Sequence, residues 1–277
     1  MKIYKINEIF ERFETCIKER KGFSHIRFGD GGIKFLHCLL YDDKRQRQII
    51  VKKEGLPDDN SIIDIFDRWG YYARHADFID TPEVYFTNAF WPRLRSTQKT
   101  MTDKTEERMR MWSDLYRRAE FDNENYCNPE SNYLMILKRA AYKNLLYYMR
   151  NYSFAIITAQ PDIKKTLNER GFHKFEIFEI VGHYQNQYKN SYKKMMSEIT
   201  DHAPEFDFWL VAAGELGRLY SGHIKECGGR CLDIGFVIEF WLGEDIHPRL
   251  QLFMKRSSRN PLELEYTTEG CHYDQFI

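Results

Sequence analysis

The chain opens on an amphipathic stripe. Ile6, Ile9, Phe10, Phe13 and Ile17 recur at steps of three and four residues, which predicts a helix with one buried face, and Gly22 is a suitable stop. A short strand is expected from Phe23 to Phe28, then a sharp loop at Gly29-Asp30-Gly31-Gly32, then a helix carrying Ile33, Phe35, Leu36, Leu39 and Leu40. Residues 42–60 are polar and mixed in charge. They read as a solvated loop, with the run Lys44-Arg45-Gln46-Arg47 offering a patch for an anionic acceptor or membrane headgroups as the sharper alternative. Ser61 to Arg74 predicts a helix, Val84 to Phe90 a strand, and two polar-rich helices are expected at about 103–120 and 132–150.

The second half is more regular. Strands are expected at Tyr152–Thr158, Lys174–Val181, Phe206–Ala213 and Arg230–Gly235. Helices are expected after Pro161, over Tyr188–Ile199 and over Leu216–Cys227. Phe206–Ala213 is nearly unbroken in its apolar character, as a strand covered on both faces should be. Strands alternating with helices imply an α/β fold: a Rossmann-like, mainly parallel sheet flanked by helices and joined by right-handed crossovers. The whole reads as a single domain, 1–277, with a helical insertion at about 97–150.

Composition narrows the classes. With 41 Lys+Arg against 41 Asp+Glu the net charge is zero, which argues against a protein that holds nucleic acid by bulk attraction. No apolar run is long enough to cross a bilayer, and the first residues turn charged at once, so the expectation is a cytoplasmic protein with at most peripheral membrane contact. The six cysteines are scattered, as thiols in a reducing compartment would be. His223, Cys227 and Cys231 are the tightest grouping. They lack a matching second ligand pair, and Gly228-Gly229 ends the helix before Cys231, which weighs against zinc there. Aromatic residues make up 16% of the chain, an excess that asks for a reason.

Candidate chemistry gathers where strands end. Gly214 and Gly217 follow a buried strand and open a helix. Glycine there lets a backbone approach a ligand, and helix-start N–H groups suit a diphosphate. A tight turn with close helix–strand packing explains the same residues. Arg218 offers either a cationic contact or a surface charge. Arg27 precedes the Gly29–Gly32 loop, where Asp30 is placed to hold a divalent ion against a phosphate; an ordinary Asp-Gly turn is the alternative. Asp233 ends a strand, with Gly235 beside it and Glu239 following. It can bind hydroxyls of a ribose or sugar, position a base, or serve as a cap beside a solvated glutamate. Thr158-Ala159-Gln160-Pro161-Asp162 also follows a strand and opens a helix. His183 is a loop histidine that can act near neutral pH.

Two of these segments together resemble the GT-D glycosyltransferase-fold family, bacterial enzymes that use nucleotide sugars. That family shows Arg-x-Gly-Asp-Gly-Glu near its N-terminus, matched here by Arg27-Phe28-Gly29-Asp30-Gly31-Gly32. It also shows a strand, small-residue loop and helix followed by an Asp-Ile-Gly strand end, matched by Phe208 to Gly217 and Asp233-Ile234-Gly235. The resemblance implies transfer of a sugar from a nucleotide-diphosphate donor, a UDP-sugar, to a glycan, glycoprotein or lipid-linked acceptor in polysaccharide biosynthesis. By position it implies Asp30, Arg27 and Asp233 as catalytic residues, Asp30 as ligand to Mn2+ or Mg2+, and Gly29, Gly31, Gly214, Gly217 and Arg218 at the nucleotide-sugar. Gly32 stands where the family has its second carboxylate. That departure keeps open a nucleotide-sugar-binding module with impaired catalysis, and the Gly214–Gly217 loop keeps open an unrelated Rossmann-like enzyme of another nucleotide cofactor.

Overall fold

The computed structural model describes residues 4–27, Phe35, Cys38, Leu40, 44–57, 61–80, 126–127, 135–136, 139–182 and 186–243. Among the described residues, seven strands form one sheet: β1 (Phe23–Ile26), β2 (Phe78–Asp80), β3 (Tyr126–Cys127), β4 (Phe154–Thr158), β5 (Phe175–Glu179), β6 (Phe208–Ala212) and β7 (Arg230–Asp233), in the order β3-β2-β1-β7-β6-β4-β5. Every neighbouring pair is parallel. All strands therefore point their carboxyl ends at one edge, which is where such sheets bind ligands.

Two apolar layers hold the sheet. Ala155, Ile157, Trp209, Val211 and Cys231 face one layer, with α2 (Lys44–Glu54), α3 (Ser61–Arg74), α6 (Lys193–His202) and α7 (Gly217–Glu226). Phe154, Ile156, Phe208, Leu210 and Leu232 face the other, with α1 (Ile6–Glu19), α4 (Arg139–Asn151), α5 (Ile163–Glu169) and α8 (Val237–Leu242). Successive residues alternate between two apolar faces, which is why the central strands read as continuous hydrophobic runs. Among the described residues, buried aromatic side chains fall in both layers and more of them in the second. Phe154 stacks on Phe208 at 5.4 Å and on Phe175 at 5.5 Å, and Phe13 meets Phe208 edge-on at 5.6 Å. Such ring pairs add about 0.5–1.5 kcal/mol each beyond the area they bury.

Several expectations change. The loop expected at 42–60 contains helix α2, held by buried Ile50 and Glu54; a helix with so little apolar face needs tertiary contacts to form. Helix α1 ends in Arg20, which takes the left-handed conformation at φ 53°, two residues before the expected Gly22. Strand β2 went unread because three residues show no periodicity, and β3 has only two. The strand expected at Val84–Phe90 and the helix at about 103–120 lie outside the described residues. The last part of the expected insertion is α4, which packs in the sheet's own layer against α1. The helix expected at Tyr188–Ile199 begins as a π-helical turn, Tyr188–Tyr192, before α6.

Candidate functional site

Three strand ends converge beside β7. Strands β1 and β6 flank it and lead into the layer of α3 and α7, whereas β7 leads into α8 on the opposite face. Neighbouring strands whose chains leave in opposite directions open a crevice at the sheet edge. Arg27, Gly214, Gly217, Arg218, Asp233 and Gly235 meet there. Asp30, Gly29 and Gly31 lie outside the described residues, as does His183.

Asp233 is the centre. Its side chain is 3% exposed, and Oδ1 lies 3.7 Å from Nε of Arg27 while accepting a 3.2 Å hydrogen bond from the Gly235 N–H. Oδ2 has no hydrogen-bond partner among the described residues. Burial drives the carboxyl's pKa upward, against the pull of Arg27, then Arg218 and His25, while Asp80 adds to the rise. Gly235 is required at its position. Its φ is +50°, and a Cβ there would stand 2.5 Å from Cζ of Arg27. The missing side chain is what lets the guanidinium lie across the turn.

The sign of the Asp233 shift makes a prediction. A carboxyl that holds its proton more tightly when folded adds stability that is complete below its unfolded pKa, near 3.8, and is lost as pH rises through the higher folded value. Stability of Asp233→Asn relative to wild type is therefore expected to rise between about pH 4 and neutrality. Urea titrations of both proteins across that range check it, and a difference that is flat or falls contradicts it.

Arg218 is neither a surface charge nor an open cation. It is 2% exposed, donates from Nε to the Arg27 carbonyl at 2.9 Å, and donates from Nη1 to the Gly214 carbonyl at 3.1 Å and to Oε2 of Glu215 at 2.9 Å. It joins the end of β1 to the turn after β6, so it positions Arg27 from behind. That turn is a single 3-10 turn, Gly214–Leu216, with Gly214 at φ +53°. The N–H of Gly217 is spent on the Ala213 carbonyl. Gly217 acts through its size instead. A Cβ would lie 3.3 Å from Cγ1 of Val211 and 3.8 Å from Oδ2 of Asp233.

A second ring of residues forms around Lys53 and Glu54, which were not expected at the site. Lys53 Nζ bridges Glu54 at 3.1 Å and Glu215 at 3.7 Å. Burial raises the pKa of Glu54, with Lys53 pulling against it. Asn186 donates to the Lys53 carbonyl at 2.9 Å, and Oε1 of buried Gln187 lies 3.7 Å from the Cβ position of Gly214. These contacts dock the end of α2 and the start of the π-helical turn on the crevice wall. Only the αL-compatible Gly55 and Asn186 hinted at them in sequence, and residues so far apart along the chain carry no shared pattern.

Other candidates disperse. Trp241 and Phe240, which follow Asp233 in α8, are buried in the layer of α1 and α4, and Trp241 donates from Nε1 to the Tyr142 hydroxyl at 3.3 Å. Glu239 is buried rather than solvated. Tyr188 stacks on Tyr192 at 4.5 Å. Cys231 lies within β7 and donates to the Ser221 carbonyl, apart from the contact between Cys227 Sγ and His223 Nε2 at 3.7 Å. The five described cysteines are free thiols. One grouping of metal-ligand type does exist among the described residues: His25, Asp80 and Cys127, with their donor atoms all within 4.8 Å of one another. Burial, followed by the charge of Asp80, raises the Cys127 thiol pKa.

No protein-family model and no curated protein sequence matches the chain. Two solved structures are similar in three dimensions. One is described as "The highly conserved domain of unknown function 1792 has a distinct glycosyltransferase fold"; it superposes with a TM-score of 0.56 at 15% identity, covering 88% of this chain and 83% of that one. The other is a selenomethionine-substituted structure of the domain of unknown function 1792, with a TM-score of 0.55 at 12% identity and the same coverage. At these identities the likeness is one of fold, and it places this parallel α/β chain among structures with a glycosyltransferase-like fold.

Proposed function

We propose that the chain is a glycosyltransferase that moves a sugar from a nucleotide-diphosphate donor, a UDP-sugar, to a hydroxyl of a glycan, glycoprotein or lipid-linked acceptor. The observation that carries this reading is the Arg27–Asp233–Gly235 arrangement at the carboxyl ends of β1 and β7, in a sheet of glycosyltransferase-like fold. Such a transfer needs positive charge where the leaving diphosphate becomes more negative, and a carboxylate where the sugar hydroxyls are held. Arg27 supplies the first and Asp233 Oδ2 the second. Arg218 holds both loops in register. The turn at Gly214–Gly217 forms the floor on which the diphosphate rests.

A hard cation such as Mg2+ or Mn2+ takes oxygen ligands and shares them with phosphates. The donor set among the described residues, His25, Asp80 and Cys127, is mixed in nitrogen, oxygen and sulfur and does not fit that ion. We assign the hard cation to Asp30, three residues after Arg27 in the sequence, and derive no step through it. No helix among the described residues is long and apolar enough to cross a membrane. We assign acceptor contacts to the exposed start of α2, where Lys44 and Arg45 suit an anionic acceptor or lipid headgroup.

A thermal-shift panel of nucleotide diphosphates and nucleotide sugars, with and without Mn2+, followed by a donor-hydrolysis assay, tests the reading. UDP and a UDP-sugar are expected to raise Tm, and hydrolysis or transfer to be measurable. Binding without turnover points to the module with impaired catalysis that Gly32 keeps open, and Gly32→Glu then restores turnover. A shift with dinucleotides but none with UDP or any nucleotide sugar refutes the proposal.

A further inference from the structure

We propose that His25, Asp80 and Cys127 bind a thiophilic divalent cation of the zinc class at the ends of three adjacent strands. This site stands independently of the transferase reading. Strands β1, β2 and β3 are consecutive in the sheet and run parallel, with Asp80 opposite Cys127 and His25 opposite Phe78. Strand alternation puts all three side chains on one face. Phe23, Phe78 and Cys127 belong to the layer of α1 and α4, whereas Ile26 and Ile79 belong to the other. His25 and Asp80 share the parity of Phe23 and Phe78. Each of three strands thus delivers one ligand-type residue to the same spot.

The spacing suits one ion. His25 Nε2 lies 3.4 Å from Asp80 Oδ1, and Cys127 Sγ lies 3.3 Å from the same oxygen. Metal–nitrogen and metal–oxygen bonds near 2.1 Å and a metal–sulfur bond near 2.3 Å give tetrahedral edges of about 3.4–3.6 Å. Two of the three donor pairs already stand at such an edge, and the third, His25 with Cys127, lies within 4.8 Å and closes on the cation. A thiolate and an imidazole prefer zinc-class ions to Mg2+ or Ca2+, which take oxygen. The fourth position of the shell falls to a water.

The surroundings explain what the ion does. All three residues are buried, beside Phe23, Phe78 and Tyr4, where a carboxylate is costly unless it is well compensated. Strand β3 is two residues long, and Tyr4 forms an isolated bridge to Cys127. An ion bonded to Cys127 pins this short edge strand to β1 and β2. On binding, the Cys127 S–H bond breaks, the sulfur bonds the ion and the proton passes to solvent. Asp80 binds as carboxylate and His25 as neutral imidazole, so one proton is released per ion.

Tag-free full-length protein, stripped with chelator and titrated with Co2+, tests the site. One equivalent is expected to bind with a thiolate-to-cobalt charge-transfer band, to be displaced by Zn2+, and to release one proton. Zn2+ but not Mg2+ is expected to raise Tm. Cys127→Ala should abolish the band, and Asp80→Asn and His25→Gln should weaken binding at least about tenfold. Cys231→Ala and Cys227→Ala should leave the band intact. If Cys127→Ala does not fold, X-ray absorption of the zinc-loaded wild type decides, with one sulfur expected in the shell. No band and no Zn2+ shift in the wild type, a band that survives Cys127→Ala, or a shell with no sulfur or with two or more overturns the proposal.

Discussion

Gly235→Ala should lower kcat/KM for donor hydrolysis about 100-fold, as expected when a group beside the chemistry is displaced by about an ångström. The new methyl would stand 2.5 Å from Cζ of Arg27 and 2.6 Å from its Nη2. The backbone of the turn is anchored through the Asp233 Oδ1 contact and the hydrogen bond from the Gly235 N–H to the Val211 carbonyl. The guanidinium, at the end of a flexible side chain, therefore moves instead and leaves Asp233. The φ of +50° adds a separate cost of about 1–2 kcal/mol for any L side chain. In a chain of this size that lowers Tm by about 3–6 °C. Gly171→Ala separates the two effects. Gly171 has φ +80° and nothing within 4 Å of its Cβ position, so it pays the backbone cost without touching Arg27. Both variants should lose similar Tm, and only Gly235→Ala should lose turnover and the UDP thermal shift. Equal activities in the two variants would remove Arg27 from the donor site.

The second large effect is on the scaffold. Gly222→Ala should destabilise the protein by about 2 kcal/mol, although alanine is the better helix former. A Cβ at Gly222, in the middle of α7, would fall 2.0 Å from Cγ of Tyr72 and 2.4 Å from its Cβ on α3. The helices touch backbone to ring at that point. Tyr72 cannot swing aside cheaply, because its hydroxyl donates to Oε2 of Glu226 at 2.7 Å. Overpacking of this kind costs about 1–3 kcal/mol, here at the top of the range, and the gain in helix propensity offsets about 1 kcal/mol of it. Urea denaturation reads the difference. A double-mutant cycle with Tyr72→Gly, which removes the Cβ as well as the ring, should remove most of the penalty. An unchanged midpoint for Gly222→Ala would mean that α3 and α7 are not in contact as described.

The fold was legible wherever residues obey a local period. Helix α3 was expected at Ser61–Arg74 and occupies those residues, because Ile62, Ile65, Phe66 and Trp69 mark one face unambiguously. Strands β4 and β6 were legible from their apolar runs. Helix α2 and strands β2 and β3 were not, because they are too polar or too short to carry a period and depend on neighbours for their form. The site divides in the same way. Arg27, Gly214, Gly217 and Asp233 stand at strand ends that the alternation of elements predicts, and they do meet. Arg218 was singled out for its charge, but its part is to bind two carbonyls and a glutamate.

By itself the sequence determined the α/β class, the identity of the residues at the strand ends and the zero net charge. Helix and strand periods are written over a few consecutive residues, and glycine and aspartate mark turns without outside help. Only the tertiary structure decided the strand order, which puts β7 between β1 and β6 and so joins Arg27 to Asp233. It alone decided that His25, Asp80 and Cys127 face one point, and that most of the described aromatic residues are core. These depend on register and crossover between segments far apart in the chain, where energies of packing and burial choose the partner and no local pattern records the choice.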